Sequence, residues 1–364
     1  MRFLSAVVKD PACLRGTALL RLDFNTTDDW RMKAVLPTIA LLRKRADRVV
    51  IVSHRGRPEG ADRKLSLRKE ARDLAKLIGH PVVFINHFRF AAIRTQVAHA
   101  PRGTVFLLEN LRFLPGEEKN DARFARKLAS LADYYVNDAF AVSHRANASV
   151  VAITTFLPSY AGLELEREIA SLGRVMRKPA RPLTVILGGA KASDKLGVIK
   201  FFRRRADAIL LGGGSANTML ALRGTEVEQS LRDRDPKDLR ALRAVMKYPN
   251  LAVPVDAVWH DGMIWDVGPK TEELFTKKIA AARTVIWSGP LGFIERPAFA
   301  KGSIAVARAI GRNRRAYSVA GGGETVMFLK KYRLDRKFSF ISTGGGAMLD
   351  FLAGKKLPGI EALK

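Results

Sequence analysis

Short β-branched and aliphatic runs, each followed by a longer amphipathic segment, recur along the chain, and this alternation leaves few folds open to it. In the first half the apolar runs fall at residues 18–24, 49–53, 82–85, 105–109 and 134–138. Between them, residues 32–45, 67–78 and 117–131 place apolar side chains three and four positions apart, the spacing of a helix with one buried face. Strands that are apolar throughout and are separated by helices pair in parallel, because each crossover must travel back along the sheet. The expectation is a parallel sheet with helices on both faces.

The same alternation restarts at residues 183–189 and continues at 208–213, 251–256, 284–289, 317–321 and 338–343. A second sheet follows from it. A length of 364 residues also exceeds what one hydrophobic core usually serves. Residues 162–176 (GLELEREIASLGRVM) form one amphipathic helical pattern, which Pro179 and Pro182 stop. The predicted fold is therefore α/β, with two doubly wound, Rossmann-like domains at 1–161 and 177–348 joined by a hinge helix over 162–176. No short-period repeat is visible.

Composition narrows the setting. The longest apolar runs are far too short to span a membrane, and the first residues lack a signal-peptide pattern, so a cytoplasmic protein is expected. The single cysteine, Cys13, permits neither an internal disulfide nor a cysteine metal cluster and reads as a small apolar residue. Against 35 Asp+Glu stand 63 Lys+Arg, a net charge of +28 with both halves positive. Such a surface steers anionic small molecules and binds RNA weakly and without sequence preference. No recognisable nucleic-acid module accompanies it.

Ligands of open α/β sheets sit beyond the carboxyl ends of the strands. In the first half those positions carry Asp23 and Asn25, then His54 and Arg57, then Arg112, then Arg145, with Arg31 opening the first helical pattern. Arg31, Arg57, Arg112 and Arg145 with His54 make a basic pocket suited to phosphate and carboxylate through forked hydrogen bonds. Asp23 and Asn25 are placed to orient a substrate hydroxyl. In the second half the same positions turn to glycine: Gly188-Gly189, Gly212-Gly213-Gly214, Gly289, Gly321-Gly322-Gly323 and Gly344-Gly345-Gly346. Glycines let backbone amides approach phosphate oxygens, and helix N-termini add a positive dipole end, so this half reads as a nucleotide site. Lys191 and Lys195 are placed to neutralise phosphates, and Glu324 beside Thr325 is a candidate Mg²⁺ ligand. No segment fits G-x-x-x-x-G-K-[ST].

At these residues the chain resembles phosphoglycerate kinase, in order from about Leu19 to the C-terminus. The blocks are RLDFN (21–25), RMKAVLPTI (31–39), SHRGRP (53–58), LLENLRFLPGEEKN (107–120), YVNDAFAVSHRANAS (135–149), LGGAKASDKLGVIKFF (187–202), LGGGSANT (211–218), DVGPKT (266–271), WSGPLGFIERPAFAKG (287–302), AGGGET (320–325) and STGGGAMLDFLAGKKLPGIEAL (342–363). The resemblance implies Mg²⁺-dependent phosphoryl transfer between 1,3-bisphosphoglycerate with ADP and 3-phosphoglycerate with ATP, by a monomer whose lobes close. It implies that Asp23, Asn25, Arg31, His54, Arg57, Arg112 and Arg145 hold the glycerate, with Arg31 also steadying the transferred group. Lys191 and Lys195 then follow the nucleotide phosphates, Glu295 meets the ribose, and Gly212, Gly213, Gly322, Gly323, Glu324 and Thr325 form phosphate and metal loops, Gly323 beside the transfer itself. Residues 349–364 are expected to return to the first domain. Three positions depart from the family pattern: Glu324 stands for aspartate, Ser288 for asparagine, and Ile264 for a small residue beside the base. Two other readings compete, a nucleic-acid binder with a vestigial kinase site and a kinase for another acyl phosphate; Asp23, Asn25 and His54 favour glycerate.

Overall fold

The computed structural model describes residues 1–8 and 14–364, so the expectation for Cys13 lies outside the described residues. The chain divides into two compact units, Met1–Ile169 with Lys356–Lys364, and Ala170–Lys355. Among the described residues no helix is long and apolar enough to cross a membrane.

The first unit holds six strands: β1 (Thr17–Arg21), β2 (Arg48–Val52), β3 (Val82–Ile85), β4 (Thr104–Leu108), β5 (Tyr134–Asn137) and β6 (Ser159–Ala161). They pair in parallel in the order β3-β4-β2-β1-β5-β6. β1 and β5 are buried along their whole length, as a sheet covered on both faces requires. Leu20, Ile51, Leu107 and Val136 of the sheet join Ile39, Leu42 and Leu74 of the helices in one core.

The second unit holds β7 (Leu183–Leu187), β8 (Ala208–Leu211), β9 (Leu251–Ala252), β10 (Ala257–His260), β11 (Met263–Val267), β12 (Thr284–Ser288), β13 (Tyr317–Gly321) and β14 (Phe340–Ile341). Six of these form a parallel sheet in the order β14-β13-β12-β7-β8-β9. From β7 the chain winds outward through β8 and β9, then returns through β12 to wind the other way. The switch point lies between β7 and β12, where a nucleotide-binding crevice is expected. Its core gathers Ile186, Leu210, Trp287, Phe275 and Phe328.

Several expected elements differ in detail. The helix anticipated over 117–131 is two, Pro115–Glu118 and Ala122–Ala129. Asn120 between them has φ +52°, and Asp121 restarts the helix by accepting a hydrogen bond from Phe124 N at 2.7 Å. The pattern over 32–45 divides near Val35, just before Pro37, which has no N–H to donate. β10 and β11 form an antiparallel hairpin absent from the sequence expectations. Its turn is Asp261-Gly262, both at positive φ, a dipeptide that signals a hairpin. Helix Phe90–His99 and strand β6 were likewise not anticipated.

Helix Leu163–Arg177 begins among buried carboxyls of the first unit. Asp138 accepts from Leu165 N at 2.8 Å, and its side chain also bonds Thr38; burial still pushes its carboxyl up to about 6. Glu164 pairs with Arg167 at 2.9 Å, yet burial first and the neighbouring Glu168 second push it up to about 8. A carboxyl raised in the folded state contributes stability that is whole below its unfolded value and is lost as pH rises through the folded one. For Glu164 that window runs from about 4.5 to about 8. Glu164→Gln is therefore expected to flatten the pH dependence of the first unit's urea unfolding between pH 5.5 and 8.5, by on the order of 1 kcal/mol per pH unit. Parallel curves for both proteins would refute it.

Candidate active site

β1, β2, β4 and β5 deliver the polar residues of the first unit to one edge of the sheet. At its base lies Arg21, the last residue of β1 and almost wholly buried. Its Nε donates to Ser149 Oγ at 2.8 Å, its Nη1 to the Leu22 carbonyl, and its Nη2 lies 3.2 Å from His54 Nδ1. Glu117, fully buried, sits 3.8 Å from Arg21 Nη2 and accepts from Ser149 N at 3.0 Å and Ser149 Oγ at 2.6 Å. A guanidinium can only donate, so His54 Nδ1 accepts, which leaves the His54 proton on Nε2. Burial, then the charges of Arg21, Arg112 and Arg145, hold His54 well below its usual range against the pull of Asp23. His54 is thus a neutral imidazole near pH 7.

Above this base, Asp23 accepts from Arg31 Nη1 at 2.9 Å and from Asn25 N at 2.7 Å. Burial alone would raise the Asp23 carboxyl, but it is lowered overall by neighbouring positive charge and the Asn25 amide. His54, Arg31 and Arg21 supply that charge, and near neutrality, where His54 is uncharged, the two arginines remain. Asn25 Oδ1 accepts from Gly56 N at 2.9 Å, and Arg112 donates to the Gly56 carbonyl, so the 53–57 loop is held from both sides. Burial first and the charge of Arg145 second lower Arg112, while Glu118, 3.2 Å from its Nε, pulls the other way. Like charge gathered in one pocket favours an anion there. The structure gathers Asp23, Asn25, Arg31, His54, Arg112 and Arg145; Arg57 extends from the same loop into solvent. Arg21 and Glu117 were not anticipated as site residues. Arg21 did carry a signal, a charged residue at the end of an apolar strand; Glu117, in helix Pro115–Glu118, carried none.

In the second unit the ends of β7, β8 and β12 are tied by their backbones. Gly188 N donates to Ser288 O at 2.9 Å, Gly189 N to Pro290 O at 2.8 Å and Gly213 N to Leu291 O at 2.8 Å. A Cβ on Gly188 would overlap the Pro290 carbonyl oxygen, so only glycine allows this approach. These loops border a cavity of about 340 Å³. Its walls include apolar Leu231, Met263, Ile264 and Leu291, with Glu295 and Glu324 among the polar lining.

Gly213 opens helix Gly213–Leu222 after Gly212, and Gly323 opens helix Gly323–Lys331 after Gly322 at φ +97°. Neither helix has a side-chain cap, but Gly213 N and Ser215 N of the first already donate to the Leu291 and Gly189 carbonyls, so it is the opening of helix Gly323–Lys331 that offers N–H groups to an anion. Thr325 Oγ1 is buried and accepts from Gly289 N at 2.8 Å, bracing the loop. Lys191 is exposed; Lys195 is half-buried, its amine lowered by burial against the opposing pull of Asp194 and Glu324. Gly212, Gly322, Gly323, Thr325 and the two lysines do not line the apolar cavity itself, whereas Gly213, Glu295, Glu324 and Ile264 do.

Asp266, at the end of β11, was also not anticipated. It accepts from Val267 N and Gly302 N, each at 2.9 Å, and burial pushes it up to about 7.

A family model described as phosphoglycerate kinase matches residues 9–355. A phosphoglycerate kinase of Dictyoglomus turgidum is 41% identical over 375 aligned positions, covering 95% of each chain. One of Pelotomaculum thermopropionicum is 44% identical with the same coverage. Among solved structures, phosphoglycerate kinase of Pyrococcus horikoshii has a TM-score of 0.87 at 32% identity, covering 100% of this chain and 98% of its own. That of Coxiella burnetii has 0.80 at 33%, covering 96% of each.

The Arg21–Glu117–Ser149 cluster yields a direct test. Glu117→Ala leaves a buried guanidinium without its counter-charge and is expected to cost the first unit about 3–5 kcal/mol in urea unfolding. Glu117→Gln, which keeps an acceptor for Ser149, should cost less. A loss under about 1 kcal/mol for the alanine variant would show the cluster to be dispensable.

Proposed function

The chain belongs to the phosphoglycerate kinase family, phosphotransferases with a carboxyl group as acceptor, and from that premise we propose that it moves a phosphoryl group reversibly between 1,3-bisphosphoglycerate/ADP and 3-phosphoglycerate/ATP, with Mg²⁺, in glycolysis. The observation that carries this reading is the pairing of chemistries: a unit that gathers arginines around Asp23 and a neutral histidine, and a unit with glycine loops around a nucleotide-sized cavity at its switch point.

In the first unit, Arg57, Arg112, Arg145 and His54 Nε2–H hold the substrate's phosphate and carboxylate, while Asp23 and Asn25 orient its hydroxyl. In the second, Leu231, Ile264 and Leu291 enclose the base, Glu295 meets the ribose, the N–H groups at Gly322–Gly323 receive phosphates, and Gly212 and Gly213, their own N–H groups bonded to the Leu187 and Leu291 carbonyls, let the nucleotide approach the backbone closely. A carboxylate oxygen of 3-phosphoglycerate attacks the terminal phosphorus as the bond to the bridging oxygen breaks. This transfer needs placement and positive charge on the equatorial oxygens rather than covalent help. Arg31, Lys191, Lys195 and the Gly323 amide supply that charge.

Among the described residues no three His, Cys, Asp or Glu side chains gather as a metal cage. Glu324 offers one carboxylate beside the phosphate loop, which suits Mg²⁺, a cation usually held by one or two carboxylates with phosphates and water. Bound there with the nucleotide, Mg²⁺ would neutralise charge on the phosphate oxygens.

Because each unit carries one substrate's site, transfer requires the units to close, with helix Leu163–Arg177 as the hinge element; closure also excludes water. The protein is read as a cytoplasmic monomer.

The deciding experiment is a coupled assay with Mg²⁺, ATP and 3-phosphoglycerate: steady formation of 1,3-bisphosphoglycerate is expected, and its absence overturns the reading. Within that assay, Glu324→Ala should raise KM for Mg-ATP about 10- to 100-fold, the loss of one charged contact, and leave KM for 3-phosphoglycerate nearly unchanged. Equal effects on both would argue against Glu324 as a nucleotide-side ligand. Small-angle scattering should show a smaller radius of gyration only with both substrates present; no contraction would exclude closure.

A further inference from the structure

The proposed reaction makes no use of a groove of about 570 Å³ in the second unit. Helix Pro269–Ala281 and helix Lys301–Arg312 bound it, and small Ala280 and Ala309 on those helices make it concave. Its rim carries Lys277, Arg312, Arg314 and Arg315, all exposed, against a single acid, Glu273. The ion pairs of the second unit, Arg181–Asp207, His260–Asp261 and Lys355–Asp350, use none of the four cations. The floor is fixed: the Asn313 side-chain amide donates to the carbonyls of Ile279 at 2.8 Å, Ala280 at 3.3 Å and Ala282 at 2.8 Å, fastening one helix end to the other.

From this groove we propose a binding site for the phosphodiester backbone of single-stranded RNA, separate from the nucleotide cavity. Cations near a helix C-terminus are favoured by the helix dipole, which accounts for Arg312. It does not account for Arg314 and Arg315, which lie beyond the helix, nor for a concavity between two braced helices. Guanidinium forks match phosphate oxygens bidentately, and three arginines lie within residues 312–315. No aromatic side chain lines the groove, so bases have nothing to stack on and recognition stays with the backbone, without sequence preference. An acidic protein is the poorer fit, because protein interfaces centre on buried apolar anchors and this floor offers alanine and threonine. A net charge of +28 raises the local concentration of any polyanion; the groove gives it a place to lodge.

The test separates a local site from diffuse charge. Fluorescence anisotropy of a labelled short oligouridylate is followed across a salt titration for the native protein and two variants of equal net charge. One combines Lys277→Gln, Arg312→Gln, Arg314→Gln and Arg315→Gln; the other combines Arg203→Gln, Arg204→Gln, Arg240→Gln and Arg243→Gln, exposed cations elsewhere in the same unit. Losing four phosphate contacts should flatten the slope of log K against log salt by about 3 in the groove variant, with little change in the other. Arg314→Gln with Arg315→Gln alone, outside any helix, should give about half that change even if the fourfold variant folds poorly. Equal losses in both fourfold variants, native binding insensitive to salt, or competition by oligoglutamate as effective as by RNA would each overturn the proposal. Phosphotransfer activity should be unaffected in the groove variants, so failure here is distinct from failure of the kinase reading.

Discussion

Parallel strand pairing is the constraint from which the rest of this molecule follows. A parallel neighbour can be reached only by a crossover, so every strand in each six-stranded sheet points the same way and every carboxyl end opens at the same edge. Residues far apart in sequence, Asp23, His54, Arg112 and Arg145 in one unit and Gly188, Gly213 and Gly289 in the other, therefore converge without any need for the chain to fold back locally. The middles of the strands are largely apolar. Polar chemistry gathers at the strand ends, where Arg21 and Asn137 stand, and in the loops that leave them.

The two units present positive charge by different means, and each means has its own structural requirement. Guanidiniums are mobile and repel one another, so the first unit fixes them with buried counter-groups: Asp23 for Arg31, and Glu117 with Ser149 for Arg21. Arg21 in turn sets the tautomer of His54 without needing to touch a ligand. Backbone amides need no counter-charge but must be aimed. In the second unit that aiming comes from glycine conformations and from hydrogen bonds between neighbouring loops.

The alternation of strand and helix and the division into two sheets were legible in the sequence, because a period of two or of three to four is a local property; the ends of the apolar runs also pointed to charged residues that the fold brings together, Asp23, Arg31, His54 and Arg112. What escaped was set by contacts between distant segments. Glu117 reads as an ordinary acid in a helical stretch, and only the fold brings it beneath Arg21 at the end of β1. Asp266 reads as the start of the DVGPKT block, yet its role is to receive Gly302 N from the opening of another helix. Both edge strands of the second sheet, β9 and β14, are shorter than their apolar runs suggest, since an edge strand has one neighbour to pair with. The β10–β11 hairpin, by contrast, did carry a local signal, Asp261-Gly262 between β-rich runs, which the strand–helix alternation masked.

The three single residues expected to differ from the family pattern, Glu324, Ser288 and Ile264, all lie in the second unit, where the geometry gives each a different weight. The loop after β12 is held by Gly188 N on the Ser288 carbonyl, by Gly189 N on the Pro290 carbonyl and by Gly289 N on Thr325 Oγ1. The two bonds that reach residues 288 and 290 use backbone oxygens that any residue supplies, so asparagine can give way to serine at 288 without moving the loop. Ile264 lies on the hairpin wall, where a larger apolar side chain narrows the cavity but breaks no bond. Glu324 differs in kind, because its carboxylate lies beside the Gly189 turn at the cavity, and an added methylene displaces the charge itself. In the first unit Arg31 is paired with the buried Asp23, where a change of one residue strands its partner. A loop held through backbone oxygens therefore has more room to vary than a site built on such a pair.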